Sequence, residues 1–276
     1  MSDLVFANDM PDERQIEAIM QWMLRPSEAR LWSLIDLALL DHAVVASFAR
    51  RNGLPMTNAF ARSDLAAFGD KAPYFLEMPD DEASQCSITG NLIQLAGNVT
   101  ALSWLRSGAS ESALQNTFAY LGKVKIENRK MPIHCRFADT RVLPGLLDTL
   151  SAEQRERVAS TIESWCWTDR QGALASWRLD TTKHGEKEEG PLLRLSKEQF
   201  RRMQREAEPD AIFLMLNQKT PEIVPRSGLG KFHARLRDFL VTANGFGVRD
   251  LKDRLQFVVL SLTCGEDFHA TPELQP

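Results

Sequence analysis

Short apolar runs of strand length alternate with helical patterns through the first 180 residues, and this alternation limits the folds open to the chain. Residues 31–35, 74–78 and 100–105 are short and apolar enough for buried strands. Helical patterns cover residues 37–50 and 110–121. Because strands separated by helices are typical of α/β domains, we expect an α/β lobe with a mixed or mostly parallel sheet and flanking helices.

The end of this first region carries further strand signals. Residues 133–137 are a fourth strand candidate, and residues 165–167 and 175–179 flank a turn-forming sequence at 169–172. This arrangement predicts a β-hairpin.

The final part of the chain is patterned for helices. Apolar side chains recur at helical spacing over residues 229–243 and again over residues 251–262. Ser196 and Gln199 have the spacing of a capping box, and Pro209 is placed to start a following helix. We therefore expect an all-helical C-terminal lobe packed on the sheet lobe.

Tryptophan and charge divide the chain at one point. All 6 tryptophans lie before residue 180, and the sequence from there to Pro191 is polar, charged and bounded by Gly and Pro. Residues 192–276 carry 13 Lys and Arg against 11 Asp and Glu, so the acidic excess lies in the first region. We interpret residues 1–180 as one lobe, 181–191 as a linker or exposed loop, and 192–276 as the helical lobe.

Composition excludes several classes of protein. A folded chain of this mass buries about 73% of its unfolded surface, which is ample for a core without disulfides or metal ions. The formal net charge of −4 argues against a nucleic-acid-binding protein, because neutralising phosphates needs a basic surface.

Sequence features also indicate a compartment. The first residues lack a basic segment followed by a long apolar one, and no apolar run reaches 18 residues, so we expect neither a secretory signal nor a membrane span. The 4 cysteines are scattered and form no CxxC pair, which fits reduced thiols. We expect a cytoplasmic protein with no membrane partner.

Residues 136–148 have the pattern of a strand that runs into a helix. Pro144 fits the first helical turn, where its missing N–H costs nothing. Asp139 lies just before this turn, where its carboxylate can cap free amides or pair with Arg136 or Arg141.

The sequence Arg-Phe-Ala-Asp-Thr-Arg-Val-Leu at 136–143 resembles a signature of the adaptor-chaperones of bacterial type VI secretion, Arg-Phe-aromatic-Asp-Pro-Arg-Val-Leu. The shared domain of that family was long catalogued as one of unknown function. Residues 31–36 and 72–76 are similar to its opening strands, and 245–247 and 265–268 to its C-terminal region. The matching motif residues are Arg136, Phe137, Asp139, Arg141, Val142 and Leu143. Two positions depart from the signature, Ala138 for an aromatic residue and Thr140 for proline.

The resemblance implies a non-enzymatic function with proteins as partners. Adaptors of this family bind a toxic effector in the bacterial cytosol and load it onto VgrG, the trimeric spike protein of the secretion apparatus. We favour the α/β lobe as the part that meets the spike protein. For Asp139 and Arg141 we favour a role in stabilising the fold, with contact to a partner as the alternative.

Two other functions are alternatives to the adaptor function. A hydrolase would use Cys135 as nucleophile with His134 beside it, or an unrecognised pair of acids. Neighbouring residues in a strand point to opposite faces, so His134 is badly placed to activate Cys135. The other alternative, a small-molecule sensor with a pocket between the lobes, has no support in the sequence. The 5 histidines are isolated and no glycine-rich loop has phosphate-binding spacing, so we expect no metal ion, cofactor or catalytic residue.

Overall fold

A computed structural model describes residues 6–178 and 192–270 of the chain. The strands are β1 (Arg30–Asp36), β2 (Met56–Asn58), β3 (Pro73–Glu77), β4 (Leu102–Ser107), β5 (Lys123–Ile126), β6 (Ile133–His134), β7 (Ser164–Thr168), β8 (Leu174–Arg178) and β9 (Leu193–Leu195). The helices are α1 (Glu13–Met23), α2 (His42–Arg51), α3 (Glu82–Ala96), α4 (Glu111–Gly122), α5 (Leu143–Thr149), α6 (Ala152–Ala159), α7 (Lys197–Lys219), α8 (Leu229–Gly245) and α9 (Leu251–Thr263). Short 3₁₀ segments cover Asp64–Lys71, Pro221–Ile223 and Phe268–Ala270. The linker expected at 181–191 lies outside the described residues.

Within the described residues, six strands form one sheet in the order β2-β3-β1-β4-β7-β8. Every neighbouring pair in it is antiparallel. At the centre, Ser33 of β1 lies opposite Leu76 of β3 and Trp104 of β4. The prediction of a mixed or mostly parallel sheet in this lobe is therefore wrong for the main sheet.

The strand order explains the error. Strands β1 and β2 run in the same direction and are separated in sequence by α2, but β3 lies between them in the sheet. Strands β3 and β4 are likewise separated by α3, and β1 lies between them. Helices cover both faces of the sheet, so six of the seven residues of β1 are buried. An antiparallel strand more commonly keeps one face exposed to solvent, and this difference made β1 resemble a strand of a parallel sheet.

Two hydrophobic cores lie on opposite faces of the main sheet. Leu31 and Ile35 point toward the core formed with α1, α2 and α3. Trp32 and Leu34 point toward the core formed with α4, α5 and α6. A small sheet in the order β6-β5-β9 closes the second core, and its β5–β9 pair is parallel.

The predicted hairpin is confirmed. β7 and β8 are antiparallel, with Trp165 opposite Trp177. The Asp169 carboxylate accepts hydrogen bonds from the backbone N–H groups of Gln171 and Ala173, so the turn is closed by its own side chain.

The C-terminal region is helical except for β9, the short strand that pairs with β5. The capping box of Ser196 and Gln199 is present at the start of α7. Pro209 does not start a helix, because it lies inside α7, where its missing N–H leaves one carbonyl of the preceding turn without its helical partner. The capping box starts the helix twelve residues earlier, and Pro209 is buried within it.

The N-terminal and C-terminal regions contribute side chains to each other's hydrophobic cores. Phe200 and Met203 of α7 pack against the core under the main sheet, whereas Ala7 lies in the core formed by α7, α8 and α9. The Asp9 carboxylate accepts hydrogen bonds from the N–H groups of Leu229 and Gly230, 2.8 and 3.1 Å away, at the start of α8. The N-terminal segment thus ties the start of α8 to the hairpin, whose Arg170 carbonyl accepts from the Asp9 N–H.

Candidate functional site

The motif at 136–143 is built around the carboxylate of Asp139, which is buried in the loop between β6 and α5. It accepts hydrogen bonds from the Thr100 hydroxyl at 2.9 Å and from the Arg141 backbone N–H at 3.0 Å. The Arg141 guanidinium forms a bidentate ion pair with the same carboxylate, with Nε 3.0 Å from Oδ1 and Nη2 2.6 Å from Oδ2. The structure thus brings the motif aspartate together with its following arginine.

A second ion pair joins this motif to the end of β1. The Arg136 Nη2 atom donates to Asp36 Oδ2 at 2.9 Å and lies 3.8 Å from Asp139 Oδ2. We call Asp36, Arg136, Asp139 and Arg141 the motif network. It holds two carboxylates and two guanidiniums, so its formal charges balance.

The pKa shifts follow from this burial and pairing. Burial raises the pKa of Asp36, and pairing with Arg136 opposes part of that rise. Burial acts to lower the pKa of Arg141, but the bonds to Asp139 outweigh it, so the pKa of this guanidinium is raised. These ion pairs join the loop before α5 to the end of β1 and stabilise its conformation.

The apolar residues of the motif anchor the same loop. Phe137 is fully buried and stacks on Phe118 with ring centroids 5.6 Å apart. Leu143 is also buried, and Val142, which precedes α5, packs partly against the same core. All six motif residues therefore make internal contacts, which is the arrangement expected of residues that stabilise a fold.

The neighbouring pair His134 and Cys135 lacks the arrangement of a nucleophile and its base. Cys135 is buried, and burial raises the pKa of its thiol to about 12, so the thiol is protonated at neutral pH. His134 is exposed, and its Nδ1 lies 3.0 Å from the Gly122 carbonyl. This environment opposes the thiolate that the hydrolase alternative requires.

A pocket of about 250 Å³ opens beside the motif network. Arg136, Phe137 and Ala138 of the motif line one side of it, and Phe68 and Lys71 line another. In the ranges 6–178 and 192–270, no group of three or more His, Cys, Asp or Glu residues is placed to hold a metal ion.

A second charged cluster joins the hairpin turn to the C-terminal helices. Arg170 donates from Nη1 to Asp210 of α7 at 2.8 Å and to Asn8 at 3.2 Å. His233 of α8 places Nε2 3.6 Å from the same Asp210 carboxylate, which is within ion-pair distance when the imidazole is protonated. Burial acts to raise the pKa of Asp210, but pairing with His233 and Arg170 outweighs it and lowers the pKa to about 2.

This pairing predicts a loss of stability in acid. The folded pKa of Asp210 is depressed below the ordinary 3.8, so the pairing contributes fully above pH 4 and is lost as pH falls toward 2. The difference corresponds to about 2 kcal/mol. In urea unfolding between pH 5 and pH 2.5, Asp210→Asn should lose about 1.5 kcal/mol less stability than the wild type, because the folded carboxylate is still partly ionised at pH 2.5.

The exposed Asp238 of α8 supplies the matched control. Asp238→Asn should keep the wild-type loss across the same pH range to within about 0.5 kcal/mol. Equal pH dependence in wild type and Asp210→Asn would contradict the assigned pairing.

Several residues of these clusters were not candidates from the sequence. Asp36 lies 100 residues before Arg136 in the chain, and only the end of the resembling strand at 31–36 marked it. Thr100, Lys71 and Asp210 had no sequence signal that linked them to the motif or the hairpin. The pairing of Asp139 with arginines was predicted because all three residues lie within six positions of each other.

Comparisons with known proteins bear on the same segment. No helix within 6–178 or 192–270 is both long and apolar enough to cross a membrane. Neither the curated proteins nor the solved structures gave a match to the chain. A family model described as a domain of unknown function, DUF4123, matches residues 31–157, which run from β1 to α6 and include the motif network.

Proposed function

We propose that the chain is an adaptor-chaperone that binds a toxic effector in the bacterial cytosol and loads it onto the type VI secretion spike protein VgrG. The observation that carries the proposal is the DUF4123 match over residues 31–157. It spans the strand motif at 31–36 and the motif at 136–143, the segments whose order resembles the adaptor family.

The chemistry of the motif supports a protein-binding role over a catalytic one. The four charges of the motif network pair with each other inside the fold, and the Cys135 thiol beside it is protonated at neutral pH. A catalytic site needs a group free to attack or to exchange a proton, and the paired charges of the motif network and the protonated Cys135 thiol are not of this kind.

Large apolar residues are exposed in both regions. In the C-terminal region these are Leu214, Val241, Phe246 and Leu251, and in the first region they are Met10, Val44, Phe68 and Met131. Both regions therefore offer apolar surface to a partner protein. Within the proposal, the spike protein meets the sheet region, which carries the motif segments, and the effector meets the C-terminal helices.

Co-purification tests the proposal directly. The tagged full chain is produced in a bacterial host together with a type VI effector and the spike protein, and captured at physiological salt. We expect both proteins to be recovered with the chain and effector export to fall when the chain is deleted. A folded chain that recovers neither protein would overturn the proposal.

Cys135→Ala separates the adaptor function from the hydrolase alternative. The substitution removes the thiol without adding bulk, and we expect recovery of both partners and effector export to stay at the wild-type level. Loss of export by a folded Cys135→Ala chain that still binds both partners would instead favour an enzyme.

A further inference from the structure

The pocket beside the motif network has apolar walls and a basic edge. Phe60, Phe68 and Pro73 contribute apolar surface, and Phe68 keeps 42% of its surface exposed at the opening. The volume of about 250 Å³ corresponds to roughly eight water molecules at ~30 Å³ each. That space fits one amino-acid residue and is below the range of pockets for larger ligands, about 300–1,000 Å³.

The polar groups of the pocket leave an unmatched positive charge. Arg136 uses Nη2 for Asp36, whereas its Nη1 and its buried Nε have no hydrogen-bond acceptor among the described residues. Lys71 also lines the pocket, and no described carboxylate lies within ion-pair distance of it. One side of the His134 ring packs against Phe60 and Phe68, and this partial desolvation lowers its pKa, so the side chain is neutral at pH 7. Because Arg136 and Arg141 are balanced by Asp36 and Asp139, the positive charge left unmatched at the pocket is that of Lys71.

A ligand that complements this pocket carries one carboxylate next to one apolar group. An internal Asp or Glu of a partner would satisfy the cations and leave the aromatic walls exposed to water. An internal apolar residue would contact the walls but would bury the Nη1 group of Arg136 without an acceptor, at a cost. A phosphate has more charge than the single unmatched cation neutralises and gives the apolar walls nothing to contact.

We propose that this pocket binds the C-terminal residue of a partner polypeptide, with the carboxylate toward Arg136 and Lys71 and an apolar side chain against the exposed ring of Phe68. Both groups of a C-terminal residue sit on one Cα, so one residue satisfies both parts of the pocket. Capture of a chain terminus is an established mode of peptide recognition. The inference deepens the proposed adaptor function by naming the chemistry of one partner contact.

Binding of short peptides to the full chain tests the pocket. The probes are acetyl-Gly-Gly-Phe with a free carboxylate, the same peptide as its C-terminal amide, and 3-phenylpropionate. Amide resonances of Ala38 and Ala138, which line the pocket, report binding by NMR. We expect the peptide acid to shift both resonances and to bind at least tenfold more tightly than the amide.

Two exposed positions provide variants that spare the motif network. Lys71→Met removes the unpaired cation, and Ala38→Trp fills the opening; each should weaken the peptide acid at least tenfold. Lys130→Met, at an exposed lysine outside the pocket, is the matched control and should leave the affinity unchanged.

The remaining outcomes would overturn the inference. Equal affinity for the peptide acid and the peptide amide would show that the pocket does not recognise the carboxylate. Binding of 3-phenylpropionate without the peptide acid would mean that the pocket takes a free small carboxylate, and no shift with any probe would mean that the pocket takes none. Each of these results leaves the co-purification of effector and spike protein as a separate test, so the two proposals fail independently.

Discussion

Asp139→Ala is expected to lower the free energy of unfolding by about 3 kcal/mol. Removing one partner of a buried ion pair leaves the other charge uncompensated, which costs roughly 3–5 kcal/mol. We expect the low end because Arg141 and Arg136 keep 25% and 38% of their side chains exposed, so water relieves part of the loss. Asp139 itself is 1% exposed and also holds the Thr100 hydroxyl. Urea unfolding at pH 7, followed by circular dichroism, measures the change.

Two further variants show whether the loss of stability in Asp139→Ala comes from the buried charge. Asp139→Asn keeps the shape and an acceptor for Thr100 but removes the charge, so we expect a smaller loss than with alanine. Asp148→Ala changes an exposed carboxylate on the neighbouring α5 and should stay within about 0.5 kcal/mol of the wild type. If Asp139→Ala stayed within that margin too, and recovery of a partner nevertheless fell, the motif would be a binding surface and its structural role would be wrong.

The difference between local and long-range signals explains how much of the fold could be predicted. The capping box of Ser196 and Gln199 and the turn at Asp169 depend on residues two to four positions apart, and both are where the pattern places them. The hairpin of β7 and β8 is equally local. Strand order is not local, because the pairing of β1 with β4 joins residues about 70 positions apart. Nothing in the sequence of either strand specifies its neighbour.

The burial of β1 shows how a correct local signal led to a wrong topology. Its apolar run correctly indicated a buried strand. A strand in which apolar and polar residues do not alternate is typical of a parallel sheet, because antiparallel sheets commonly face water on one side. Here α1, α2 and α3 cover one face, and α4, α5 and α6 cover the other, so an antiparallel strand carries the pattern of a parallel one.

The same distinction applies to the candidate site. The pairing of Asp139 with Arg141 spans two positions and was predictable from charge and spacing. The pocket is different, because it combines Phe60, Phe68 and Lys71 with the segment at 134–138, which follows more than 60 residues later. Its aromatic walls and its unpaired cation become a site only when the 3₁₀ segment Asp64–Lys71 is placed against the motif.

Gly230→Ala is expected to destabilise the contact between the C-terminal helices and the sheet region. A Cβ atom at residue 230 would lie 2.1 Å from the Arg170 carbonyl oxygen, a backbone atom that cannot swing aside. The start of α8 must therefore move away from the hairpin turn and lose the bonds that Leu229 and Gly230 donate to Asp9. Overpacking costs about 1–3 kcal/mol and loss of a helix cap about 1 kcal/mol, so we expect a total of roughly 2–4 kcal/mol.

The distribution of tryptophan makes this loss visible in a second way. All 6 tryptophans lie before residue 180, so their fluorescence reports unfolding of the sheet region, whereas circular dichroism also includes α7, α8 and α9. In the wild type the two signals should change together, because the regions share their cores. In Gly230→Ala the helical signal should begin to fall at a lower urea concentration than the fluorescence.

Gly245→Ala is the matched control. Residue 245 lies in the same helix with nothing within 4 Å of the added atom, so this substitution should be neutral or stabilising by up to about 1 kcal/mol. Coincident, unshifted transitions in Gly230→Ala would show that α8 does not approach the hairpin this closely.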